Sequence, residues 1–296
     1  MRPYLQLSRL DRPVGYWLLA LPGWIGLAFA TLSYGFAVSD LKWAALILIG
    51  AIAMRGAGCT YNDIVDQDLD RQVERTALRP LPAGTVTTQQ AWIWLLAQCG
   101  VGLIVLLCLP RLAQIISLCS IPLVAAYPFM KRITWWPQIW LGMTFNWAVL
   151  VAYAAKTGTV SWPLFILYIG LVFWTVGYDT IYACQDIEDD MKIGVKSTAR
   201  IAEGKVSKFV YNFYGLCITF ILLAIFIELY SGVKEITVTI CLVLPFAFRL
   251  RQQSLILEKE NNNSIYLKLF KSNVGAALLL IVTLLSYSIF LKFELF

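Results

Sequence analysis

The chain has 296 residues, of which 59% are hydrophobic and only 14% charged, with a formal net charge of +6. Soluble domains carry roughly 25% charged residues, so the composition excludes an ordinary soluble protein and points to a lipid bilayer; nucleic acid is not required to explain the positive charge. There is no histidine, and the seven cysteines form no C-x-x-C pair, which disfavours zinc, haem and disulfide frameworks and leaves chemistry to carboxylates, Arg, Lys, Tyr and metal.

Taken in order, the residues before the first apolar run at position 13 resemble neither a cleavable signal nor an Arg/Ser-rich transit segment, so the expectation is a prokaryotic or already processed sequence. Runs of about 20 apolar residues are long enough to cross a bilayer as helices. They occur at 13–34, 43–62, 89–109, 112–129, 137–155, 162–183, 209–230, 233–250 and 271–291. The fold class expected is therefore all-α and integral to the membrane, with nine transmembrane helices in a single domain spanning 1–296. Nine crossings put alternate loops on opposite sides. The N-terminus and the stretches 63–88, 130–136, 184–208 and 249–271 hold eighteen of the 24 Lys and Arg, against five on the other side, with Arg55 inside a helix. By the positive-inside rule the N-terminus and the long loops face the cytoplasm. Most tryptophans sit near span ends, as an interfacial aromatic belt requires.

The second span ends in Cys59-Thr-Tyr-Asn-Asp-Ile-Val-Asp-Gln-Asp-Leu-Asp-Arg71, with four carboxylates inside eight residues. On a continuous helix Asp63, Asp66 and Asp70 share one face with Asn62 at its edge, while Asp68 points away. Oxygens spaced in this way at a membrane surface suit Mg²⁺, which takes one or two carboxylates together with substrate phosphates. A solvated acidic cap is the bland alternative. The sixth span ends in Tyr178-Asp-Thr-Ile-Tyr-Ala-Cys-Gln-Asp-Ile-Glu-Asp-Asp190, where Asp179, Asp186 and Asp190 would lie close together on a helix, with Tyr182 and Asp189 at the shoulder. The two stretches resemble one another and suggest a pseudo-repeat whose halves each supply an acidic helix to a shared site. Two facing carboxylate sets need cations between them to stay ionised. Arg71, Arg75 and Arg79 follow the first motif and Lys192 and Lys196 the second, the pattern a diphosphate requires; the positive-inside rule alone also accounts for such residues. Arg55, within an apolar run two turns before Asp63, needs an anion, either one of the aspartates or a substrate carboxylate.

Asn62-Asp-x-x-Asp66-x-x-x-Asp70, Arg-Pro-Leu-Pro-Ala-Gly (79–84) and Tyr178-Asp-Thr followed by Asp-x-x-Asp-Asp-x-Lys-x-Gly-x-Lys-Ser-Thr198 resemble the UbiA superfamily of intramembrane prenyltransferases. Within it, Leu10-Asp-Arg-Pro-x-Gly15, Met54-Arg-Gly-Ala-Gly-Cys59 and Gly194-Val-Lys-Ser-Thr198 are similar to members that act on 4-hydroxybenzoate in ubiquinone biosynthesis. The resemblance runs from residue 8 to about 205. It implies helices around a central cavity, open to the cytoplasm at the diphosphate end and to lipid along the prenyl tail. It also implies a polyprenyl diphosphate donor, a 4-hydroxybenzoate acceptor and an inner-membrane enzyme. Asn62, Asp63, Asp66 and Asp70 would hold one Mg²⁺-diphosphate face, and Asp186 and Asp190 the other. Arg79, Lys192 and Lys196 would hold phosphate oxygens, and Arg55, with Arg12, the acceptor carboxylate. Tyr178, Tyr182, Phe145 and Tyr127 are candidates to face an allylic cation, with packing the alternative reading that the many aromatics of this chain favour for any one ring. Asp186 or Asp179 could take the phenolic proton. Three other readings are carried alongside. One is a secondary transporter, also built on repeats with intramembrane carboxylates. Another is a CDP-alcohol phosphotransferase, whose Asp-x-x-Asp-Gly-x-x-Ala-Arg run is absent. The last is a sibling prenyltransferase acting on naphthoate, homogentisate, chlorophyllide or haem.

Overall fold

In a computed structural model, residues 1–71, 74–192, 194–229, 234–260 and 262–294 are described, with side chains for all of these except 74–75, 189–190, 234 and 292–294. The described residues are helical, with turns and no strand. The long helices are α1 (Val14–Tyr34), α2 (Ser39–Val65), α3 (Thr88–Leu107), α4 (Arg111–Ile133), α5 (Pro137–Thr157), α6 (Trp162–Ala183), α7 (Val206–Leu229), α8 (Lys234–Lys259) and α9 (Asn263–Glu294). All except α5 are long and apolar enough to cross a membrane by length and composition. At about 1.5 Å per residue, the 21 residues of α5 also reach about 30 Å. Its apolar signal is diluted by polar residues turned inward. Buried Asn146 donates to the Gly142 and Leu171 carbonyls at 2.8 and 3.1 Å and to Thr175 Oγ1 at 2.7 Å, and buried Gln138 accepts from the Thr198 N–H at 3.0 Å.

Helix α1 packs on α2, α5 and α9, and α6 packs on α5, α7 and α9; these two are the most deeply enclosed, whereas α3 and α4 are the most exposed. One apolar core joins Leu21, Ile25 and Phe29 of α1, Tyr153 of α5, Trp174 of α6, Ile221 of α7, Phe246 of α8 and Leu280 of α9. Between apolar helices in lipid there is no hydrophobic drive to associate, and close backbone approach does that work. At the α1–α5 crossing a Cβ on Gly26 would stand 2.5 Å from the Val149 carbonyl oxygen, so only glycine fits.

Several boundaries differ from the sequence reading. Helix α4 is broken at Ser120 into Arg111–Cys119 and Ile121–Ile133, because Pro122 cannot donate to the turn before it. Helices α8 and α9 run through most of 249–271, where a long loop is expected, leaving 260–262 between them. Buried Gln253 is satisfied inside the bundle, accepting from the Tyr214 hydroxyl at 2.7 Å and donating to Ser272 Oγ at 2.9 Å. Neither acidic motif is one unbroken helix. Asp66 (φ −98°, ψ 5°) separates α2 from the turn Gln67–Asp70, and a 3₁₀ turn, Cys184–Asp186, separates α6 from Ile187–Lys192.

At the end of the bundle opposite the acidic motifs, Lys156 and Asp40 form an ion pair at 2.6 Å with side chains 5 and 6% exposed. Lys156 also donates to the Gly35 carbonyl at 2.9 Å, and the Ala37 N–H donates to Asp40 at 2.9 Å.

The Gly26→Ala variant should lose about 1–3 kcal/mol of stability from overpacking against backbone, read as a lower unfolding midpoint in detergent. Gly215→Ala, where a Cβ meets nothing within 4 Å, should not shift it.

Candidate active site

The site is built where α2, α4 and α6 end together. Asp63 and Asp66 are 1% exposed and Asp70 7%, so each carboxylate needs compensation. Asp63 accepts from Arg9 Nη2 at 2.8 and 2.9 Å through both oxygens. Arg79 Nη1 bridges Asp70 Oδ2 at 2.7 Å and Asp63 Oδ1 at 3.4 Å. Asp66 pairs with Lys131, and with Arg132 Nη2 at 2.9 Å. Asp68 stays outside this cluster, exposed and paired with Arg71 at 3.2 Å.

Arg9 reaches Asp63 because the N-terminal segment folds over this end. Leu7 is buried with Leu81, Val86 and Ala91; Trp94 Nε1 donates to Ser8 Oγ at 2.7 Å; and Arg9 takes a left-handed backbone (φ 56°) that turns the chain. Arg79 is placed by the turn 79–86, in which the Ala83 N–H bonds the Arg79 carbonyl at 2.9 Å. A capping box of Thr87 and Gln90 then starts α3. The Gly194–Thr198 string is strapped to the α4–α5 connection. The Lys196 N–H bonds the Lys131 carbonyl at 2.9 Å, Lys196 Nζ bonds the Ile133 carbonyl at 3.1 Å, and the Thr198 and Thr180 hydroxyls lie 2.6 Å apart. Gly194 (φ 72°) makes the left-handed turn that this requires.

Below the acidic mouth lies a second group of residues. Arg55 of α2 is within electrostatic range of Cys59, Tyr127 of α4, and Tyr182 and Asp179 of α6. Its guanidinium stacks over the Phe145 ring of α5 at 5.3 Å, and its buried Nε has no hydrogen-bond partner among the described residues. Tyr178 lies beside this group but is 1% exposed, edge-on to Trp174 at 5.1 Å and bonded to Thr175 at 3.2 Å, which makes it a packing residue in this arrangement. Tyr182, Tyr127 and Phe145 are only partly covered, and Tyr182 leans on Phe270 at 4.5 Å.

The structure thus gathers Asn62, Asp63, Asp66, Asp70 and Arg79 at the mouth, and Arg55, Asp179, Tyr127, Phe145 and Tyr182 beneath it. Asp186 sits on the 3₁₀ turn and Lys192 is exposed at the end of Ile187–Lys192. The side chains of Asp189 and Asp190 lie outside the described residues. Arg12 is not brought into either group: it is 71% exposed and faces Asp11 at 3.8 Å. Lys196 is committed to the Ile133 carbonyl. Arg9, Lys131 and Arg132 are cations that the sequence reading assigns to topology alone. Their signal is the placement of a Lys-Arg pair and an N-terminal arginine on the same side as the buried carboxylates. No group of three or more His, Cys, Asp or Glu side chains converges as a metal cage among the described residues; the mouth carboxylates are held by cations instead. Chemically, the mouth pairs hard oxygen donors with cations on long side chains, and the interior offers one guanidinium and one carboxylate among aromatic faces.

Comparison with known proteins gives a consistent result. The profile of the UbiA prenyltransferase family matches residues 19–275. The chain is 49% identical over 199 residues to the mitochondrial 4-hydroxybenzoate polyprenyltransferase of Aedes aegypti, covering 67% of this chain and 44% of the relative. It is 47% identical over 205 residues to the Homo sapiens protein of the same name, covering 67 and 53%. The chain therefore spans about half the length of the curated relatives it matches. A UbiA homolog from Archaeoglobus fulgidus bound to GPP and Mg²⁺ superposes with a TM-score of 0.71 at 18% identity, over 96% of this chain and 99% of that one. The apo UbiA homolog from Aeropyrum pernix K1 gives 0.68 at 22% identity, over 95 and 98%. At these identities the two structures establish the fold.

Lys131→Met or Arg132→Met should each lower the unfolding midpoint in detergent, and the double variant, which strips Asp66 of both cations, should lower it by several degrees. Adding Asp66→Asn to the double variant should recover most of that loss, because it removes the stranded charge.

Proposed function

The chain belongs to the UbiA prenyltransferase family, and from that premise we propose that it transfers a polyprenyl group from an allylic polyprenyl diphosphate to the ring carbon ortho to the hydroxyl of 4-hydroxybenzoate. The observation that carries this reading is the stacking of two chemically different compartments on α2. Asp63, at the cation-lined mouth, and Arg55, in the aromatic interior, are eight residues apart, about 12 Å along the helix axis. That separation lets one end hold a diphosphate while the other orients an aromatic acid.

The donor types at the mouth suit Mg²⁺ once the cations that hold the carboxylates turn away: Asn62, Asp63, Asp66 and Asp70 offer hard oxygens, and Asp186 and Asp190 would complete the site from the α6 side. Bound there, Mg²⁺ would neutralise diphosphate oxygens and make the diphosphate a better leaving group. Arg9, Arg79, Lys131 and Arg132 stand close enough to turn from the carboxylates to phosphate oxygens, and Lys192 at the rim adds positive charge. As the allylic C–O bond ionises, Tyr127, Tyr182 and Phe145 present ring faces to the developing cation and exclude water, each cation–π contact contributing roughly 0.5–2 kcal/mol. The guanidinium of Arg55 takes the acceptor carboxylate in a bidentate pair. Asp179, beside Arg55, would accept the phenolic proton, which raises the electron density at the ortho carbon, and after the new C–C bond forms the ring proton is lost as the dienone returns to the phenol. We read residues 1–296 as one transmembrane unit lying in an inner membrane. The eighteen-to-five bias in Lys and Arg supports an acidic end that faces the cytoplasm.

Membranes carrying the protein, given 4-hydroxybenzoate and a polyprenyl diphosphate, should form 3-polyprenyl-4-hydroxybenzoate only with Mg²⁺. Asp63→Ala should lower the rate by about 10²–10³-fold, the scale of losing a principal charge-stabilising group. Product from naphthoate or homogentisate but not from 4-hydroxybenzoate would overturn the acceptor, and no transfer to any aromatic acceptor would overturn the reaction.

A further inference from the structure

The position of the Arg55 guanidinium is fixed by shape. A Cβ built on Gly15, in the first turn of α1, would stand 2.7 Å from Arg55 Nε, 3.2 Å from Nη2 and 3.3 Å from Cζ. The backbone of α1 therefore lies directly against the edge of the guanidinium that carries Nε. The ring of Phe145, on α5, covers one of its faces at 5.3 Å. Nε is buried between these walls and makes no hydrogen bond to the described residues, so no polar partner anchors that edge. Two packing surfaces, one of them available only because residue 15 has no side chain, decide where the fork of N–H donors points.

We propose that Gly15 is a specificity-determining position: its missing side chain seats Arg55 so that the guanidinium can receive the carboxylate of an aromatic acid acceptor. This rests on the reading of Arg55 as the partner of that carboxylate. Carbon and nitrogen in contact settle at about 3.5–4.0 Å, so a methyl at position 15 would displace the guanidinium by about 1 Å. What must give way is the end of a flexible side chain rather than backbone, so the fold survives and the cost falls on alignment. A bidentate pair is sensitive to that shift, and a 1 Å misplacement of a binding group can cost about 10²-fold. An acceptor without a carboxylate makes no use of the guanidinium and should be indifferent to the change.

The test is steady-state prenyl transfer by the full chain in lipid vesicles, with geranyl diphosphate, Mg²⁺ and 4-hydroxybenzoate, for wild type, Gly15→Ala, Arg55→Ala and the double variant, alongside thermal unfolding. Gly15→Ala should raise the KM for 4-hydroxybenzoate by about 10- to 100-fold, leave the KM for geranyl diphosphate within about twofold and leave the unfolding midpoint unchanged. In the double variant the Gly15 substitution should add nothing to Arg55→Ala, because both act through one contact. An unchanged acceptor KM in Gly15→Ala, equal losses for both substrates, an additive double variant or a failure of Gly15→Ala to fold would each overturn the proposal for Gly15. An unchanged acceptor KM in Arg55→Ala would instead overturn the reading of Arg55 on which it rests.

Discussion

Three carboxylates shielded from water at the mouth of a helical bundle are the constraint on which this end of the molecule depends. Left alone, each buried ion would cost several kcal/mol. The compensation comes from segments far apart in the chain: Arg9 ahead of α1, Arg79 in the α2–α3 connection, and Lys131 and Arg132 at the end of α4. Each pairing obliges a loop to stay where it is, and Lys196 extends the tie to the segment after α6. The electrostatic demand of the aspartates thus organises four connections around one opening. The cations recruited for this purpose are of the kind that phosphate oxygens attract, so folding and ligand binding draw on the same charges.

Much of this architecture is legible in the amino-acid sequence, for identifiable reasons. Membrane spans announce themselves by composition over about 20 residues, and each of the nine apolar runs corresponds to one of the long helices. The acidic motifs stand out because carboxylates at membrane depth are rare. Local geometry is what composition and periodicity do not carry. Helical periodicity places Asp63, Asp66 and Asp70 on one face but gives no sign of the break at Asp66 or of the 3₁₀ turn at 184–186. Arg9 and Arg12 are indistinguishable in a segment without periodicity, and it takes the left-handed backbone at Arg9 to turn one inward and leave the other in solvent. Charge counting treats 249–271 as a loop, yet most of it is helical, and Gln253 within it bonds helix to helix with Tyr214 and Ser272. The same counting sets Lys131 and Arg132 on the side that holds the acidic motifs, but it cannot say which aspartate they meet.

The interior shows how polar groups are kept in an apolar bundle without being wasted. Asn146 spends its amide N–H donors on backbone and Thr175, holding α5 to α6 beside the group around Arg55. Helix α5, the weakest of the nine as an apolar span, is also a wall of the site, since it presents Phe145 to the guanidinium.

The buried pair of Asp40 and Lys156 has a bearing on how the protein is made. Asp40 precedes Lys156 by 116 residues, with α2, α3 and α4 between them. Chains are made from the N-terminus, so the aspartate exists before its partner has been synthesised. Until α5 is made, the Asp40 carboxylate has no lysine to pair with, and α1 has no α5 to close against. Closure of that end therefore waits for α5, the fifth of the nine long helices. Once formed, the pair also cancels one of the few positive charges at that end of the bundle, leaving it closer to neutral than its residue count suggests.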